Sequence, residues 1–244
     1  MAGPEYREIP ARGNEWFVPR FGSLRFRTFI GLLFLPYTCM VLSFSVIGSL
    51  LAERIFYDRL LAIVLIYFLG LGVAAHALDA LGSKRVKPWG SVFSKSALWL
   101  MVVLTLVIAY GIAGYYMIRY VPLLWAVALL EGFFVFAYNL EWFDGRFHTD
   151  RWFAFSWGAL PVLAGYIMQT NRISSAAIVL SAAMGLFSFL EIKASRPYKE
   201  LKRRLPEPGS GEWELLNRYE IILKCISLGV ILLGVGLLLG RLPG

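Results

Sequence analysis

The sequence predicts an all-α fold, a polytopic membrane helical bundle of about seven transmembrane helices. Hydrophobic residues make up 58% of the 244 residues and charged residues 16%, whereas soluble domains carry about 25% charged residues. The apolar residues also fall in runs of roughly 20, the length at which a helix crosses about 30 Å of hydrocarbon. Strand-like alternation of the membrane-barrel type is absent. The composition therefore excludes an ordinary soluble domain.

Seven apolar runs define the predicted helices in chain order. They cover residues 29–51, 60–81, 97–118, 121–140, 152–169, 174–192 and 221–239. Pro161 predicts a kink in the fifth helix, because proline lacks a backbone N–H and its ring clashes with the carbonyl four residues earlier. Gly158 and Gly165 on the same helix favour close packing against a neighbour.

The loops between these runs predict the domain organisation and the orientation. Residues 1–28 form an N-terminal segment, and residues 29–244 form the bundle, with a polar insert at about 193–220. Basic residues concentrate in the N-terminal segment and after the second, fourth and sixth helices. Cytoplasmic loops keep an excess of Lys and Arg, so we expect the N-terminus in the cytoplasm and, after an odd number of helices, the C-terminus on the opposite side.

The charge of the chain predicts its general partners. The formal net charge is +8, and most of it falls on the expected cytoplasmic face, where anionic membrane lipids are the default partner. We expect no nucleic acid partner, because the basic residues flank apolar helices and form no aromatic-interleaved binding module. The insert places a basic half and an acidic half around the turn "PEPGSG", and each half is predicted to form a short interfacial helix.

Ionisable residues at the end of the second helix are the first candidate for chemistry. His76, Asp79 and Ser83 are spaced i, i+3 and i+7, so they share one helix face, and Lys84 and Arg85 follow at once. Ionisable residues in membrane helices cost free energy, which makes them functional candidates.

The sixth helix ends in the same way. Glu191 closes its apolar run, and Lys193, Ser195 and Arg196 follow. Two carboxylates facing each other across a bundle can hold a divalent cation, and cations beyond them can hold an anionic group such as a phosphate. The alternative is that these side chains are interface residues that pair with each other and with lipid headgroups.

Two further polar residues lie elsewhere. Glu131 falls near the middle of the fourth helix, where a carboxyl group must be protonated, face the interior or pair with a polar group. We expect it to line a lipophilic cavity and to contact an acceptor substrate. His148 lies in the polar loop "GRFHTDRW", where we expect a hydrogen-bonded loop residue rather than a metal ligand.

The order of these features resembles the UbiA-type intramembrane prenyltransferase superfamily. The resemblance covers about residues 25–200 and is strongest in the run Gly158 to Tyr166, which follows the loop "AYNLEWFDGRFHTDRW". It implies transfer of a prenyl group from a prenyl diphosphate to a lipophilic acceptor, with Mg²⁺ between two acidic motifs at the cytoplasmic face. The catalytic and metal-binding residues that it implies are His76, Asp79 and Glu191. The implied substrate-binding residues are Ser83, Lys84, Arg85, Glu131, Tyr138, Asn139, Arg146, Lys193, Ser195 and Arg196.

The acidic motifs depart from the family pattern. Of its five acidic positions, two remain acidic, Asp79 and Glu191. Three interpretations follow. A diverged prenyltransferase would use a single Mg²⁺. A different membrane metalloenzyme would place Fe, Mn or Zn on His76, Asp79 and Glu191, because imidazole suits those metals better than Mg²⁺. A non-catalytic lipid-binding or scaffold protein would keep the fold without the reaction.

Overall fold

The computed structural model describes residues 13, 15–82, 92–204 and 206–242 of the chain. Helices make up 79% of it, and the described residues contain no strand, so the all-α prediction is confirmed. The α-helices are α1 (Leu24–Leu32), α2 (Leu35–Leu50), α3 (Tyr57–Tyr67), α4 (His76–Gly82), α5 (Lys95–Arg119), α6 (Leu124–Asn139), α7 (Asp150–Ala154), α8 (Leu160–Thr170), α9 (Ser175–Arg204) and α10 (Gly211–Leu239).

The number of helices that can span a membrane differs from the prediction. In the described part of the chain, five helices are long and apolar enough, namely Leu24–Leu50, Tyr57–Gly82, Lys95–Arg119, Ser175–Arg204 and Gly211–Leu239. The prediction of seven is not confirmed. Helix α6 is apolar but has 16 residues, which gives about 24 Å of helix against about 30 Å of hydrocarbon. The predicted fifth helix is divided into α7 and α8.

Two π-helical segments interrupt the helices. Phe68–Ala75 joins α3 to α4, and Phe155–Ala159 joins α7 to α8. Pro161 explains the second segment, because it cannot donate to the carbonyl of Trp157 and its ring displaces that turn. The kink predicted at Pro161 stays a prediction, and the structure shows a change of helix type in the turn before it. Such π segments re-aim the side chains that follow and are frequent at functional sites.

The centre of the bundle is α2, which packs against α8 and α10. Gly165 on α8 lies against the backbone of Ser45, and Gly48 on α2 lies against the backbone of Val162. A side chain at either glycine would collide with the facing helix, so the small residues set the distance between α2 and α8. The close-packing role predicted for Gly165 is confirmed.

The polar insert extends the neighbouring helices. Its basic half continues α9 to Arg204, through Pro197, and its acidic half begins α10 at Gly211. Separate interfacial helices were the wrong expectation here. Buried contacts between Tyr198 and Leu201 on α9 and Leu216 and Leu223 on α10 hold the two extensions together, because each extension buries an apolar stripe against the other.

Candidate functional site

Six aromatic rings pack in a continuous cluster at one end of the bundle, which we call the aromatic wall. Its members are Phe34, Tyr37, His76, Tyr138, Phe153 and Trp157. Phe34 and His76 are partly exposed, and the other four rings are buried. Neighbouring ring centroids lie 5.1 to 5.8 Å apart, the spacing of favourable aromatic pairs. The wall combines rings from α2, α4, α6, α7 and the second π segment, so it exists only in the folded bundle.

Local backbone geometry positions three of these rings. His76 follows the first π segment directly and Trp157 lies within the second, and their rings meet at 5.3 Å. Phe34 links α1 to α2 with φ 46° and ψ 55°, a left-handed conformation that is costly for a bulky residue. That conformation turns the Phe34 ring onto His76, at 5.8 Å. The rings therefore meet where the helices are irregular.

Glu191 lies beside the wall and is almost completely buried, with 1% of its surface exposed. The Tyr37 hydroxyl faces both Glu191 and Ser195, and the Lys199 ammonium interacts electrostatically with the Glu191 carboxylate. Lys199 also lies 5.3 Å from the centre of the Phe34 ring. The Oε2 atom of Glu191 is buried and accepts no hydrogen bond from any described residue, so it retains lone pairs for another group.

The basic residues of α9 form one rim of the site. Lys193 Nζ lies 2.8 Å and Arg196 Nε 2.7 Å from the carboxylate of Asp150 at the start of α7. The Lys193 and Arg196 side chains are 57% and 46% exposed, whereas Asp150 is 15% exposed. The two cations and one carboxylate leave a surplus of one positive charge that faces the surroundings.

Asp79 reaches the same site through Tyr138. The Tyr138 side chain interacts with Asp79, Arg196 and Asp150, and it is also an electrostatic neighbour of Tyr37. Tyr138 thus neighbours Asp79, and Tyr37 neighbours both Tyr138 and Glu191. The structure brings seven of the predicted site residues to one end of the bundle, namely His76, Asp79, Tyr138, Glu191, Lys193, Ser195 and Arg196.

The sequence predicts a metal centre on His76, Asp79 and Glu191. Within the described residues, no group of three or more His, Cys, Asp or Glu side chains is arranged to hold a metal ion. The three predicted ligands are all described, and they do not form a three-ligand centre. Mg²⁺ and the transition metals therefore remain predictions from the sequence.

Other predicted residues have different places. The Asn139 amide donates to the carbonyl of Val135 within its own helix, at 2.8 Å. His148 Nδ1 lies 2.9 Å from the carbonyl oxygen of Tyr138, and the two rings stack, so His148 fastens the loop to the end of α6, as expected for a loop histidine. Arg146 is exposed in that loop. Ser83, Lys84 and Arg85 lie outside the described residues.

Glu131 lies apart from these residues, on the wall of a cavity between α3, α5 and α6. The cavity has a volume of about 60 Å³, and Glu131 is the one predicted site residue that lines it. The Tyr67 hydroxyl donates to Glu131 Oε1 at 2.9 Å. Glu131 and Tyr138 are seven residues apart on α6, which corresponds to about 10 Å along the helix axis.

The N-terminal segment closes over the same end of the bundle as the aromatic wall. Glu15 is buried and accepts hydrogen bonds from the Tyr198 hydroxyl at 2.9 Å and from Lys202 Nζ at 2.8 Å. Phe17 packs on Phe34 with 4.8 Å between ring centroids. The segment predicted as a separate cytoplasmic stretch therefore reaches the wall through Phe17.

The most important residues that sequence reasoning missed are Phe34, Tyr37, Phe153 and Trp157. All four lie inside or beside apolar runs, where aromatic residues are ordinary constituents of a helix. "LPY" at 35–37 carried one usable signal, because a proline inside an apolar run can mark the beginning of a new helix, and the tyrosine adds a polar hydroxyl group. Comparison with known proteins finds no matching family model, curated protein or solved structure.

Proposed function

We propose that this protein is an integral membrane prenyltransferase of the UbiA type. It moves a prenyl group from a prenyl diphosphate to a lipophilic acceptor at the cytoplasmic face. The observation that carries the proposal is the position of the aromatic wall against the basic rim of α9. Tyr138 contacts the Phe153 ring and also interacts with Arg196, so a ligand here meets aromatic faces and cations together.

The exposed surface of the bundle supports the membrane location. Large apolar side chains cover the outer faces of α5 and α10, and Val107 and Leu232 are 65% and 69% exposed. Apolar surfaces of this kind need a covering partner. Lipid acyl chains are the partner that matches five helices of membrane-spanning length.

The basic rim supports recognition of a diphosphate. Arg196 presents a guanidinium group that can bind two phosphate oxygens at once, and Lys193 adds a mobile point charge. Both side chains are about half exposed, so a phosphate can reach them without unfolding the site. Lys84 and Arg85, which the sequence places after α4, are further candidates for the same anion.

The aromatic wall supports the transfer step. The bond between C1 of the prenyl group and the diphosphate oxygen breaks, and its electron pair leaves with the diphosphate. The positive charge that develops on the allylic carbon is stabilised by the aromatic faces of the wall that are partly exposed, such as Phe34. An electron pair of the acceptor forms the new bond to C1, and the acceptor releases its proton to water.

Binding of geranylgeranyl diphosphate to the purified protein in detergent tests the proposal, with and without Mg²⁺. We expect binding by the wild type and a loss of at least tenfold in Arg196→Gln. Asp79→Asn and Glu191→Gln are expected to remove the Mg²⁺-dependent part of the binding. Arg204→Gln is the matched control, because Arg204 lies on the same helix in an exposed pair away from the wall.

The outcomes separate the proposed function from its alternatives. Equal weakening in Arg196→Gln and Arg204→Gln would show that the probe follows general positive charge, and it would contradict a diphosphate site. Binding without release of diphosphate, after a lipid extract is added as a source of acceptor, would instead favour a non-catalytic lipid-binding protein.

A further inference from the structure

The Glu131 cavity is a second site, distinct from the aromatic wall. Helices α3, α5 and α6 and the first π segment supply its walls, with Ile63, Leu71, Leu106, Ala109 and Val127 among the lining residues. At about 60 Å³, it offers roughly four to six times the space that one water molecule needs, about 10 to 15 Å³ on the same measure. It is therefore large enough for the end of a lipid.

The polar chemistry of the cavity is concentrated in one carboxyl group. Glu131 Oε1 accepts the hydrogen bond of Tyr67, at 2.9 Å. The Oε2 atom is buried and makes no hydrogen bond with any described residue. The Tyr110 hydroxyl is committed to the carbonyl of Ala128 at 2.8 Å. A buried polar atom without a hydrogen-bond partner costs free energy. A ligand that brings a polar group to Oε2 would remove that cost.

The rim of the cavity shows where a ligand enters. Tyr110 on α5 lines the cavity and is 39% exposed, and Ala128 on α6 lies opposite it and is partly exposed. At this depth the outer surface of the bundle is apolar, as at Leu129 with 68% exposure. The hydrogen bond from Tyr110 to Ala128 bridges α5 and α6 at this point. The surface around the bridge faces lipid, so a ligand reaches the cavity from the bilayer beside it.

We infer that this cavity binds a membrane-soluble alcohol, with its hydroxyl group on Glu131 Oε2 and its hydrocarbon chain leaving between α5 and α6. A hydroxyl group both donates and accepts, so it satisfies the carboxyl oxygen whether or not that oxygen carries a proton. The lining residues provide no cation for an anionic head group. This second site holds its ligand independently of the reaction proposed at the aromatic wall.

Photolabelling with a matched pair of probes tests the inference. The first probe is a C15 aliphatic alcohol that carries a diazirine, and the second is the same chain without the hydroxyl group. Both are added to the detergent-purified full chain, and labelled peptides are identified by mass spectrometry. We expect the alcohol to label the lining segments of α5 and α6 at least fivefold more than the hydrocarbon.

Three variants make the test specific. Glu131→Leu removes the hydrogen-bonding group and is expected to abolish the preference for the alcohol, whereas Glu131→Gln keeps a donor and an acceptor and should retain it. Ala128→Phe fills the cavity and should reduce labelling by both probes. Ala126→Phe is its control, because Ala126 is exposed on the same helix and does not line the cavity.

Two results would overturn the inference. One is equal labelling by the two probes in the wild type, which would show an apolar gap filled by any lipid chain. The other is a preference for the alcohol that survives in both Glu131→Leu and Ala128→Phe. Binding of geranylgeranyl diphosphate is measured in parallel on Ala128→Phe, which lies outside the aromatic wall, so failure of one proposal is distinguishable from failure of the other.

Discussion

Glu191 and Glu131 are both glutamates with one buried carboxyl oxygen that accepts no hydrogen bond from the described residues, yet their surroundings differ. Glu191 has Lys199, Ser195 and the Tyr37 hydroxyl around it, and it lies next to the basic rim. Glu131 has the hydroxyl of Tyr67, and the rest of its cavity is almost entirely carbon. The neighbours of a buried carboxyl group set the chemistry around it, and for that reason we propose an ionic ligand at the wall and a neutral ligand in the cavity.

Replacement of Glu191 by leucine is expected to have the largest effect. It removes the carboxyl group that interacts with the Lys199 ammonium and faces the Tyr37 hydroxyl. Because polar contacts to a charged group contribute about 1.5 to 3 kcal/mol, we expect a loss of about 2 kcal/mol in the free energy of unfolding. Steric trapping in bicelles measures that free energy. Glu191→Gln, which keeps the shape and one acceptor, should lose less than half as much. Equal stability of Glu191→Leu and the wild type would show that the polar neighbourhood contributes nothing.

The second-largest effect is expected from salt, which should weaken binding at the aromatic wall and leave binding in the Glu131 cavity unchanged. Raising the ionic strength from about 0.01 M to about 1 M shortens the Debye length from about 30 Å to about 3 Å. We expect the dissociation constant of geranylgeranyl diphosphate to rise several-fold over this range, because the Lys193 and Arg196 side chains are exposed to the solvent. Labelling by the alcohol probe should not change. A salt-sensitive alcohol site would contradict the neutral chemistry assigned to the cavity.

A paired substitution at Glu131 should have a smaller effect. Glu131→Leu alone leaves the Tyr67 hydroxyl without its acceptor, at a cost of about 1 kcal/mol. Glu131→Leu combined with Tyr67→Phe removes both partners and should restore stability to within about 0.5 kcal/mol of the wild type. A double variant that is less stable than either single variant would mean that Glu131 has a structural role, unlike the ligand role proposed here.

The smallest effect is expected at the exposed end of α9. Arg204 pairs with Glu200 and Glu212 at 2.6 and 3.3 Å, and all three side chains are at least half exposed. Exposed ion pairs contribute little because water and salt screen them. Arg204→Gln should therefore leave both thermal unfolding and ligand binding unchanged. A measurable loss would indicate that the extensions of α9 and α10 support the wall from a distance.

Much of the fold was predictable from composition and apolar runs. Each of the seven predicted runs is largely helical in the structure, although the first is broken at Phe34. About 20 consecutive apolar residues satisfy their own hydrogen bonds best as a helix. The sequence could not show that α6 ends after 16 residues or that α3 and α7 pass into π segments. Those features depend on hydrogen bonds and packing that change from one helical turn to the next. The apolar residues continue through them, so the sequence pattern does not show where they lie.

The polar residues of the site were predictable for a related reason. Asp79, Glu191 and Arg196 stand out against apolar helices, where each charged group costs free energy. Helix ends that share a side of the bundle bring such residues together. Phe34 and Trp157 do not stand out in the sequence, because an aromatic ring carries no free-energy penalty in an apolar helix. Only the tertiary contacts of these rings show that they belong to the wall.

By itself the sequence determined that the chain is helical and apolar, and which charged residues stand at the helix ends. Tertiary structure alone decided that His76 meets Trp157, that Tyr138 neighbours Asp79 and Tyr37 neighbours Glu191, and that Glu131 lines a separate cavity. The physical reason is the range of the interactions. Helix formation and the cost of a charge act over a few neighbouring residues, whereas the two sites are built from contacts between helices that lie far apart in the sequence.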